Sequence, residues 1–469
     1  MKQFLLLFAC AFTLLTVQSQ ENLPTDYLSK EFHQGRREAF RNLMPANSVA
    51  VIFSYPERVF SKDINYNYHQ NPDMYYLTGY KEPDAVLLLF KDNKTTANDT
   101  YNEILFVRER NAAQETWTGR RLGVEGVKSK LGFKMVYNGK DFNAFAIDFK
   151  KFSQIIYDKI PTDIRNNKSG FDLAGLIETF KSKASITAEN ETVHQLFDKI
   201  TSTLREIKTV EELDLMRKTV KLSCIAHNEV MKAVGPDMSE NEADGIHRYI
   251  HKHYGAEDEG YPPIVGAGAN GCILHYGENN ATKMDNQLLL MDVGSEYHGY
   301  SADVTRTVPA NGKFSPEQKA IYELVYEAQE EVFKICKEGT PFQDLNKKAR
   351  EVITNGLLKL GIITDPKDVR MYYPHSCSHF LGLDVHDKGN YMGNLKENMI
   401  FTVEPGIYIP ANSKCDKKWW NIGVRIEDDV LITKSSYENL SAESPRKWQE
   451  IEALTKQKST FNEMKFPKI

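Results

Sequence analysis

Acidic side chains inside apolar segments are the feature that most constrains this chain. Asp292, Asp303, Glu404 and Glu427 lie in LLLMDVG, YSADVTRT, FTVEPGIY and GVRIEDDV, which are typical of buried strands or tight turns. His379 lies in a fifth such segment, HSCSHFLG. Burying an ionised carboxylate is very costly unless a positive charge accompanies it. Four carboxylates and one imidazole, if brought together, would hold two divalent cations, which favours a dinuclear metal hydrolase.

The two aspartates are expected on a single hairpin. LLLMDVGSEYHGYSADVTRTV predicts two strands joined by a turn around His298-Gly299, with Asp292 and Asp303 on opposite arms. Such a hairpin can bring both side chains onto one face. The alternative is that each aspartate ends a strand or lies in a turn, which is uncommon for acidic residues inside apolar strands.

The histidine block MYYPHSCSHFLGLDVHD carries His375, His379 and His386. A single histidine is usually structural, but three so close together favour one metal ligand with two neighbours that contact the ligands or the substrate. No HExxH motif is present in the sequence, which argues against a mononuclear zinc protease of that type.

Glu404 is followed directly by a Pro-Gly turn. In GVRIEDDVLIT, strand alternation puts Arg425 and Glu427 on one face. An ordinary exposed salt bridge between these two residues is the alternative to a metal site. One nitrogen among carboxylate oxygens is a hard ligand set, which favours Mn²⁺ and allows Co²⁺, Fe²⁺ or Zn²⁺. Four carboxylates also balance two divalent cations in formal charge.

Length and composition limit the class of protein. The 469 residues suffice for two or three domains, and 41% hydrophobic with 26% charged residues is typical of globular proteins. The net charge is -5 and no basic block stands out, so nucleic acid is not an expected partner. The cysteines after the first twenty residues are few and scattered, which predicts free thiols rather than a disulfide framework.

The first residues, MKQFLLLFACAFTLLTVQSQ, have the layout of a secretory signal peptide. One lysine precedes an apolar run from Phe4 to Val17, and cleavage is expected after Ser19. A run this short does not span a bilayer as a stable anchor. We therefore expect an exported protein, periplasmic or secreted, without a membrane span. Lipid attachment at Cys10 is disfavoured, because too little apolar sequence precedes it.

The remaining sequence predicts two domains and a tail. Residues 20–202 alternate strand-like runs (SVAVIFS, DAVLLLF, EILFVRE) with helical ones such as EFHQGRREAFRNLM, which predicts an α/β domain. Residues 203–440 are predicted to form an α+β domain, and 441–469 a final helix and a loose end. A cap residue with Glu or Gln three positions later indicates three helix starts: Thr209/Glu212, Ser239/Glu242 and Ser315/Gln318. The third of these helices is predicted to reach Gly339.

Several blocks of the sequence resemble a known family. MDVGSEYHGYSADVTRT, HSCSHFLGLDVHD, TVEPGIYI and GVRIEDD are similar to the metal-binding blocks of the pita-bread metallopeptidases, and NGCILHYGEN resembles a block of their aminopeptidase P subgroup. YNYHQNPDMYYLTGY and ETWTGRRLG resemble that subgroup's N-terminal domain. The resemblance implies an α/β N-terminal domain of the creatinase/prolidase N-terminal type, followed by an α+β pita-bread catalytic domain.

The resemblance also implies a role for each candidate residue. Asp292 would bind one metal ion, His379 and Glu404 would bind the other, and Asp303 and Glu427 would bridge them. Glu404 would accept a proton as a hydroxide that bridges the metal ions attacks the scissile carbonyl. The other residues it implies are His275 and His386 at the substrate carbonyl and tetrahedral intermediate, His375 at the pocket wall, Arg425 behind the ligands, and Trp117, an aromatic lent to a neighbouring subunit.

The implied activity is release of the N-terminal residue from peptides with proline in second position, with two Mn²⁺ per chain and a homodimer or homotetramer. Prolidase, which cleaves Xaa-Pro dipeptides, is the nearest alternative because it shares every ligand block. The first-half blocks and NGCILHY favour aminopeptidase P. Methionine aminopeptidase is disfavoured by the long N-terminal domain, and creatinase by the complete ligand set. A non-catalytic pita-bread binding module is disfavoured because all five ligand positions are intact.

Overall fold

The structure is a computed structural model that describes residues 24–96, 99–165, 169–188 and 190–464. The predicted signal peptide, residues 1–19, lies outside these ranges. Within them, no helix combines the length and the apolar character that a membrane crossing requires. Five cysteines lie in the described ranges and all are free, as predicted.

The N-terminal half is built on a five-stranded mixed sheet with the order β6-β5-β4-β1-β7. Alternate residues of β1 face two separate apolar clusters, Ala50 and Ile52 on one side and Val49 and Val51 on the other. Burial on both faces explains why β1 is apolar from Val49 to Phe53. The strands of this half are β1 (Ser48–Phe53), β2 (Val59–Ser61), β3 (Ile64–Asn65), β4 (Val86–Thr95), β5 (Thr100–Val107), β6 (Val136–Asn138) and β7 (Gln154–Tyr157).

Helices surround this sheet and lead into the second half. The first six are α1 (Lys30–Leu43), α2 (Pro72–Thr78), α3 (Ala112–Thr118), α4 (Gly123–Leu131), α5 (Leu173–Ala184) and α6 (Glu191–Arg205). The expected boundary at residues 202–203 falls within α6, and the division into domains remains a prediction. The other helices are α7 (Val210–Ala233), α8 (Glu240–His253), α9 (Pro316–Phe333), α10 (Phe342–Lys359), α11 (Trp448–Leu454) and α12 (Thr460–Glu463).

The three predicted helix starts are confirmed, each with a complete capping box. The prediction that α9 reaches Gly339 is wrong, because the helix ends at Phe333. The backbone of Gly339 instead donates to the carbonyl of Leu395, at 2.9 Å, and so leaves the helical path. The expected single helix of the tail is two short ones, α11 and α12, and Ile451 of α11 is fully buried.

The second half contains several small antiparallel sheets, with the strand orders β13-β10-β9, β12-β11-β8, β14-β17-β18 and β15-β16. The strands are β8 (Asp258–Glu259), β9 (Ile264–Ala267), β10 (Leu288–Asp292), β11 (Ser295–Tyr297), β12 (Tyr300–Ser301), β13 (Thr305–Pro309), β14 (Ile400–Val403), β15 (Gly406–Ile409), β16 (Ile422–Arg425), β17 (Asp428–Ile432) and β18 (Tyr437–Asn439).

Two strand predictions need correction, and one segment predicted as a strand or a tight turn is irregular. The predicted hairpin has its turn at His298 and Gly299, both at positive φ, but each arm is divided into two strands. GVRIEDDV forms β16 and β17 with a break at Glu427, because Glu427 pairs with Thr305 of β13 at this point. HSCSHFLG contains no strand; it is an irregular segment that bonds to β14 through the backbones of Thr402 and Glu404.

One apolar cluster joins the two halves. It includes Tyr75 and Tyr76 from α2 together with Tyr300, Leu381 and Leu383 from the second half. Shared core of this kind fixes the N-terminal domain against the second part of the histidine block.

Candidate metal centre

The hairpin formed by β10 and β13 supplies the two aspartates. Asp292 ends β10, opposite Thr305, and Asp303 lies just before β13. The arms approach so closely that a Cβ on Gly294 would lie 1.7 Å from the carbonyl oxygen of Ala302. Glycine is therefore required at this position, between the two aspartates.

A tyrosine hydroxyl connects these aspartates. The hydroxyl of Tyr261 lies 2.5 Å from Oδ1 of Asp292 and 2.6 Å from Oδ1 of Asp303. A phenol carries a single proton and can donate to only one carboxylate at a time. The two carboxylates therefore face each other across one hydrogen-bonding atom, as the predicted hairpin requires.

The break between β16 and β17 turns Glu427 towards the aspartates. The hydroxyl of Thr305 donates to Oε2 of Glu427 at 2.6 Å. Nη2 of Arg425 donates to Oδ2 of Asp292 at 2.6 Å. The alternative of an exposed Arg425–Glu427 salt bridge is wrong, because both residues are buried and the guanidinium is paired with Asp292.

His379 and Glu404 enter from the other side, on the histidine segment and at the end of β14. Nδ1 of His379 lies 3.1 Å from the carbonyl oxygen of Phe380, to which it can donate. Nε2 faces the acids, 3.3 Å from Oδ2 of Asp303 and 3.5 Å from Oε1 of Glu404. A histidine held in this way presents Nε2 as a metal ligand.

All five predicted ligands line one cavity of about 760 Å³. One donor atom each from Asp303, His379 and Glu427 lies within 4.8 Å of the others. His275, His375, His386 and Arg425 line the same cavity. The structure therefore brings together residues that are up to 152 positions apart in the sequence, from His275 to Glu427.

The carboxylates of this site carry more negative charge than nearby protein groups compensate. Burial, reinforced by neighbouring carboxylates, raises the pKa of Glu404 to about 7 and also raises the pKa values of Asp292 and Glu427. Burial likewise raises the pKa of Asp429, whose Oδ1 is buried without a hydrogen-bond partner. Burial opposes the charge on His379, yet Asp303 and Glu404 raise its pKa to about 9.

The residues present fit divalent cations. Carboxylate oxygens and one imidazole nitrogen, crowded at a buried position with an excess of negative charge, are the donors that such ions select. Four carboxylates face two cationic side chains in the described lining of the cavity: Arg425 is paired with Asp292, and His379 lies beside Asp303 and Glu404 and lowers the pKa of Asp303. The candidate metal ligands are Asp292, Asp303, His379, Glu404 and Glu427.

The other candidate residues surround the ligands. His375 lies 2.9 Å from the hydroxyl of Tyr408, and burial lowers its pKa to about 4. His275 and His386 are the more exposed histidines of the cavity. Trp117 is on α3, is 88% exposed and does not line the cavity of its own chain. Its assignment to a neighbouring subunit's site stays a prediction.

Three contacts of the site were not predicted from the sequence. Tyr261, Thr305 and Tyr408 bond directly to candidate residues of the site. Thr305 lies two positions after Asp303, so strand alternation could have indicated it. Tyr408 lies in TVEPGIYI, four residues after Glu404. Tyr261 stands in a loop before two prolines and carries no local signal.

Comparisons with known proteins identify the family. Residues 214–434 match the model of metallopeptidase family M24, and residues 33–157 match the aminopeptidase P N-terminal domain. The chain is 36% identical to the Xaa-Pro aminopeptidase of Escherichia coli over 445 residues, which cover 91% of this chain and 98% of that protein. The chain belongs to metallopeptidase family M24. Within this family it groups with the aminopeptidase P proteins, as its sequence blocks predicted.

Other M24 relatives and solved structures agree. Human Xaa-Pro aminopeptidase 3 is 32% identical, with 88% of this chain and 82% of that protein covered. The structure of E. coli aminopeptidase P with the inhibitor Pro-Leu superposes with a TM-score of 0.80 at 33% identity, covering 92% of this chain and 98% of that chain. The predicted α/β N-terminal domain and pita-bread catalytic domain are confirmed. An M24 metallopeptidase acts on peptides and requires a divalent metal ion.

Proposed function

We propose that this M24 enzyme is an Xaa-Pro aminopeptidase, which releases the N-terminal residue from peptides with proline in second position. The observation that carries the proposal is the convergence of five carboxylate and imidazole ligands on one cavity, in a chain whose relatives bear this name. Both halves match, since the aminopeptidase P N-terminal domain precedes the M24 domain.

Divalent cations would be held by Asp292, Asp303, His379, Glu404 and Glu427, and we propose two Mn²⁺ per chain. Bound there, they would supply a water of lowered pKa as the nucleophile and offset charge on the tetrahedral intermediate. A structure of E. coli aminopeptidase P carries substituted zinc, so the metal of that relative can be exchanged. Oxygen-rich ligands are the reason to propose manganese as the native ion of this chain.

The chain's own residues would manage protons and charge around the peptide. Glu404, which lines the cavity 3.5 Å from Nε2 of His379, would accept a proton from the attacking water and return it to the leaving amine. His275 and His386 line the open side of the cavity and would donate hydrogen bonds to the substrate carbonyl and the intermediate. Arg425 holds Asp292, and His375 contacts Tyr408, so these two would fix the walls.

We also propose that the chain is exported after cleavage near Ser19, as the N-terminal sequence predicts. It would act as a homodimer or homotetramer in which the exposed Trp117 of α3 reaches a neighbouring cavity. N-terminal sequencing of the protein from culture fractions tests export. Size-exclusion chromatography with light scattering tests the assembly.

A substrate comparison tests the proposed activity against prolidase. The enzyme loaded with Mn²⁺ should cleave an Xaa-Pro-Yaa tripeptide at the Xaa-Pro bond and leave the matched Xaa-Pro dipeptide largely intact. The Glu404→Gln variant, which keeps the shape of the side chain without a titratable carboxyl, is the control for contaminating peptidases. Preference for the dipeptide would make the chain a prolidase, and no cleavage of either peptide would contradict the proposal.

A further inference from the structure

A second buried cluster of charged groups lies beside the metal centre, where the two halves meet. Its central cations are Arg205, at the end of α6, and Lys208, three positions further on; both side chains are 1% exposed. Its anions come from both halves: Asp73 is in α2, and Asp384 and Asp387 are at the end of the histidine block. Neither aspartate of the LDVHD segment has a role in the centre described above.

The guanidinium of Arg205 reaches three carboxylates. Nη1 donates to Oδ1 of Asp73 at 2.9 Å, and Nη2 donates to Oδ2 of Asp384 at 2.6 Å and to Oδ1 of Asp387. Nζ of Lys208 donates to the other oxygen of Asp387 at 2.8 Å. The two separate Nη atoms of the guanidinium reach carboxylates on opposite sides, which the single nitrogen of a lysine at position 205 would not do in this geometry.

Asp384 and Asp387 flank His386 on a segment without helix or strand, residues 381–390. Within the described part of the chain, the His386 ring makes no hydrogen bond, and it lies edge-on against His379 with the ring centroids 4.4 Å apart. The position of His386 therefore depends on the backbone that carries it. That backbone is held through the two flanking aspartates.

The packing of this segment is tight. A Cβ on Gly382 would lie 2.1 Å from Oδ2 of Asp387 and 2.8 Å from Nζ of Lys208. Further along, Nζ of Lys388 donates to Oδ2 of Asp73 at 2.9 Å, so the N-terminal domain contacts the segment a second time. The loop is fixed by ionic contacts on both sides of His386.

We propose that Arg205 is a positioning residue for the peptidase reaction. It holds the aspartates on either side of His386 and ties them to Asp73, so that the N-terminal domain and α6 fix this histidine at the mouth of the cavity. This inference rests on the proposed function, because it takes His386 to contact the peptide during the reaction.

A double-mutant cycle tests the proposal. Arg205→Lys keeps the charge but loses the fork, and kcat/KM should fall by about 100-fold, as expected when a reacting contact moves by about 1 Å. His386→Ala should lower kcat/KM by at least as much. In the His386→Ala background, adding Arg205→Lys should cost less than about twofold, because the contact that Arg205 positions is already absent.

A buried arginine elsewhere provides the matched control. Arg37 is also 1% exposed and binds Glu103 within the N-terminal half. Arg37→Lys should lower the thermal midpoint yet leave kcat/KM unchanged within about twofold, with or without His386. A crystal structure of Arg205→Lys should show the His379 and His386 rings further apart than 4.4 Å, with the metal content of the parent protein retained.

If Arg205→Lys does not fold, Asp384→Asn replaces it. The Asp384 side chain is 43% exposed and makes only one of the three contacts, so this variant should fold and show a smaller loss with the same dependence on His386. An equal loss with and without His386, in whichever variant folds, would overturn the inference. Absence of Xaa-Pro cleavage in the parent protein would instead contradict the proposed function.

Discussion

Two buried clusters of acidic residues differ in how their charge is balanced. In the metal centre, four carboxylates face the cations Arg425 and His379. Burial raises the pKa values of Asp292, Glu404 and Glu427, whereas His379 lowers that of Asp303. Protein groups leave this cluster short of positive charge. A shortage of this kind is what a cation site requires before its ion binds.

The cluster around Arg205 has the opposite balance. Burial works against the charged forms of all three aspartates and raises the pKa of Asp384, but the neighbouring Arg205, Lys208 and Lys388 lower the pKa values of Asp73 and Asp387. The cations come from the protein, and the cluster needs no further ion. Buried acids alone therefore do not identify a metal site; the informative quantity is the positive charge that the protein fails to supply.

The first prediction concerns metal binding, where the two clusters should differ most. Glu427→Gln removes a proposed bridging ligand, so bound metal should fall and kcat/KM should drop by more than about 100-fold, beyond the loss typical of residues that only support a ligand. Elemental analysis and the tripeptide assay measure both effects. Glu103→Gln, which removes a carboxylate bound to arginines in the N-terminal half, should retain the metal. Full metal content in Glu427→Gln would show that this residue is not a ligand.

The second prediction concerns the sign of stability changes in protein stripped of metal. Asp387→Asn removes the carboxylate bound to Lys208 and one of the three bound to Arg205, and should lower the free energy of unfolding by about 3 kcal/mol. Glu427→Gln removes a carboxyl that is poorly compensated and should leave the stability unchanged or raise it. Urea denaturation in the presence of a chelator measures both variants. Changes of the same sign and size would abolish the distinction between the clusters.

The third prediction concerns pH in the same stripped protein. The pKa of Glu404 is raised from 4.5 to about 7, so the stability it contributes is complete below about pH 4.5 and is lost as the pH rises through about 7. The loss should amount to about 3 kcal/mol. The lowered pKa values of Asp73 and Asp387 have the opposite effect on stability. The stability that these two carboxylates contribute is complete above about pH 3.8 and is lost only at lower pH.

Denaturation curves at pH 5, 6.5 and 8 measure this dependence, with Glu404→Gln as the matched variant. The parent protein should lose stability towards pH 8, and the variant should show a clearly smaller slope. Equal slopes would remove Glu404 as the source of the effect.

The smallest effect is expected at Trp117. The side chain is 88% exposed, so Trp117→Ala should change the free energy of unfolding by less than about 0.5 kcal/mol. If this residue completes a neighbouring subunit's cavity, KM for the tripeptide should rise at unchanged stability. Steady-state kinetics of the assembled enzyme measure the change, and an unaltered KM would remove Trp117 from the substrate site.

Local signals in the sequence were sufficient for much of the fold. The capping boxes at Thr209, Ser239 and Ser315 start the helices that they predicted, because a cap acts within one turn. The ligands were found because a carboxylate inside an apolar segment is unusual whatever its partners are. The ends of elements were less predictable: α9 ends at Phe333, and Gly339, where the helix was expected to end, bonds to Leu395 far along the chain.

The contacts that organise the site were the hardest to predict. Tyr261 joins Asp292 to Asp303 from a separate loop, and nothing near it in the sequence indicates that role. Arg205 meets partners at positions 73 and 387, and its importance depends on geometry that only the folded chain provides. Residue type predicts which side chains can bind a cation. Tertiary structure decides which of these side chains already have an arginine or lysine of the protein as their partner.

Elemental analysis of the purified enzyme, exchanged into chelator-free buffer and paired with the tripeptide assay, tests the central claim most directly. The uncompensated charge of the centre predicts two divalent cations per chain in the parent protein, and their loss together with activity in Glu427→Gln. A parent protein that cleaves the tripeptide at full rate while holding less than one ion per chain would contradict it.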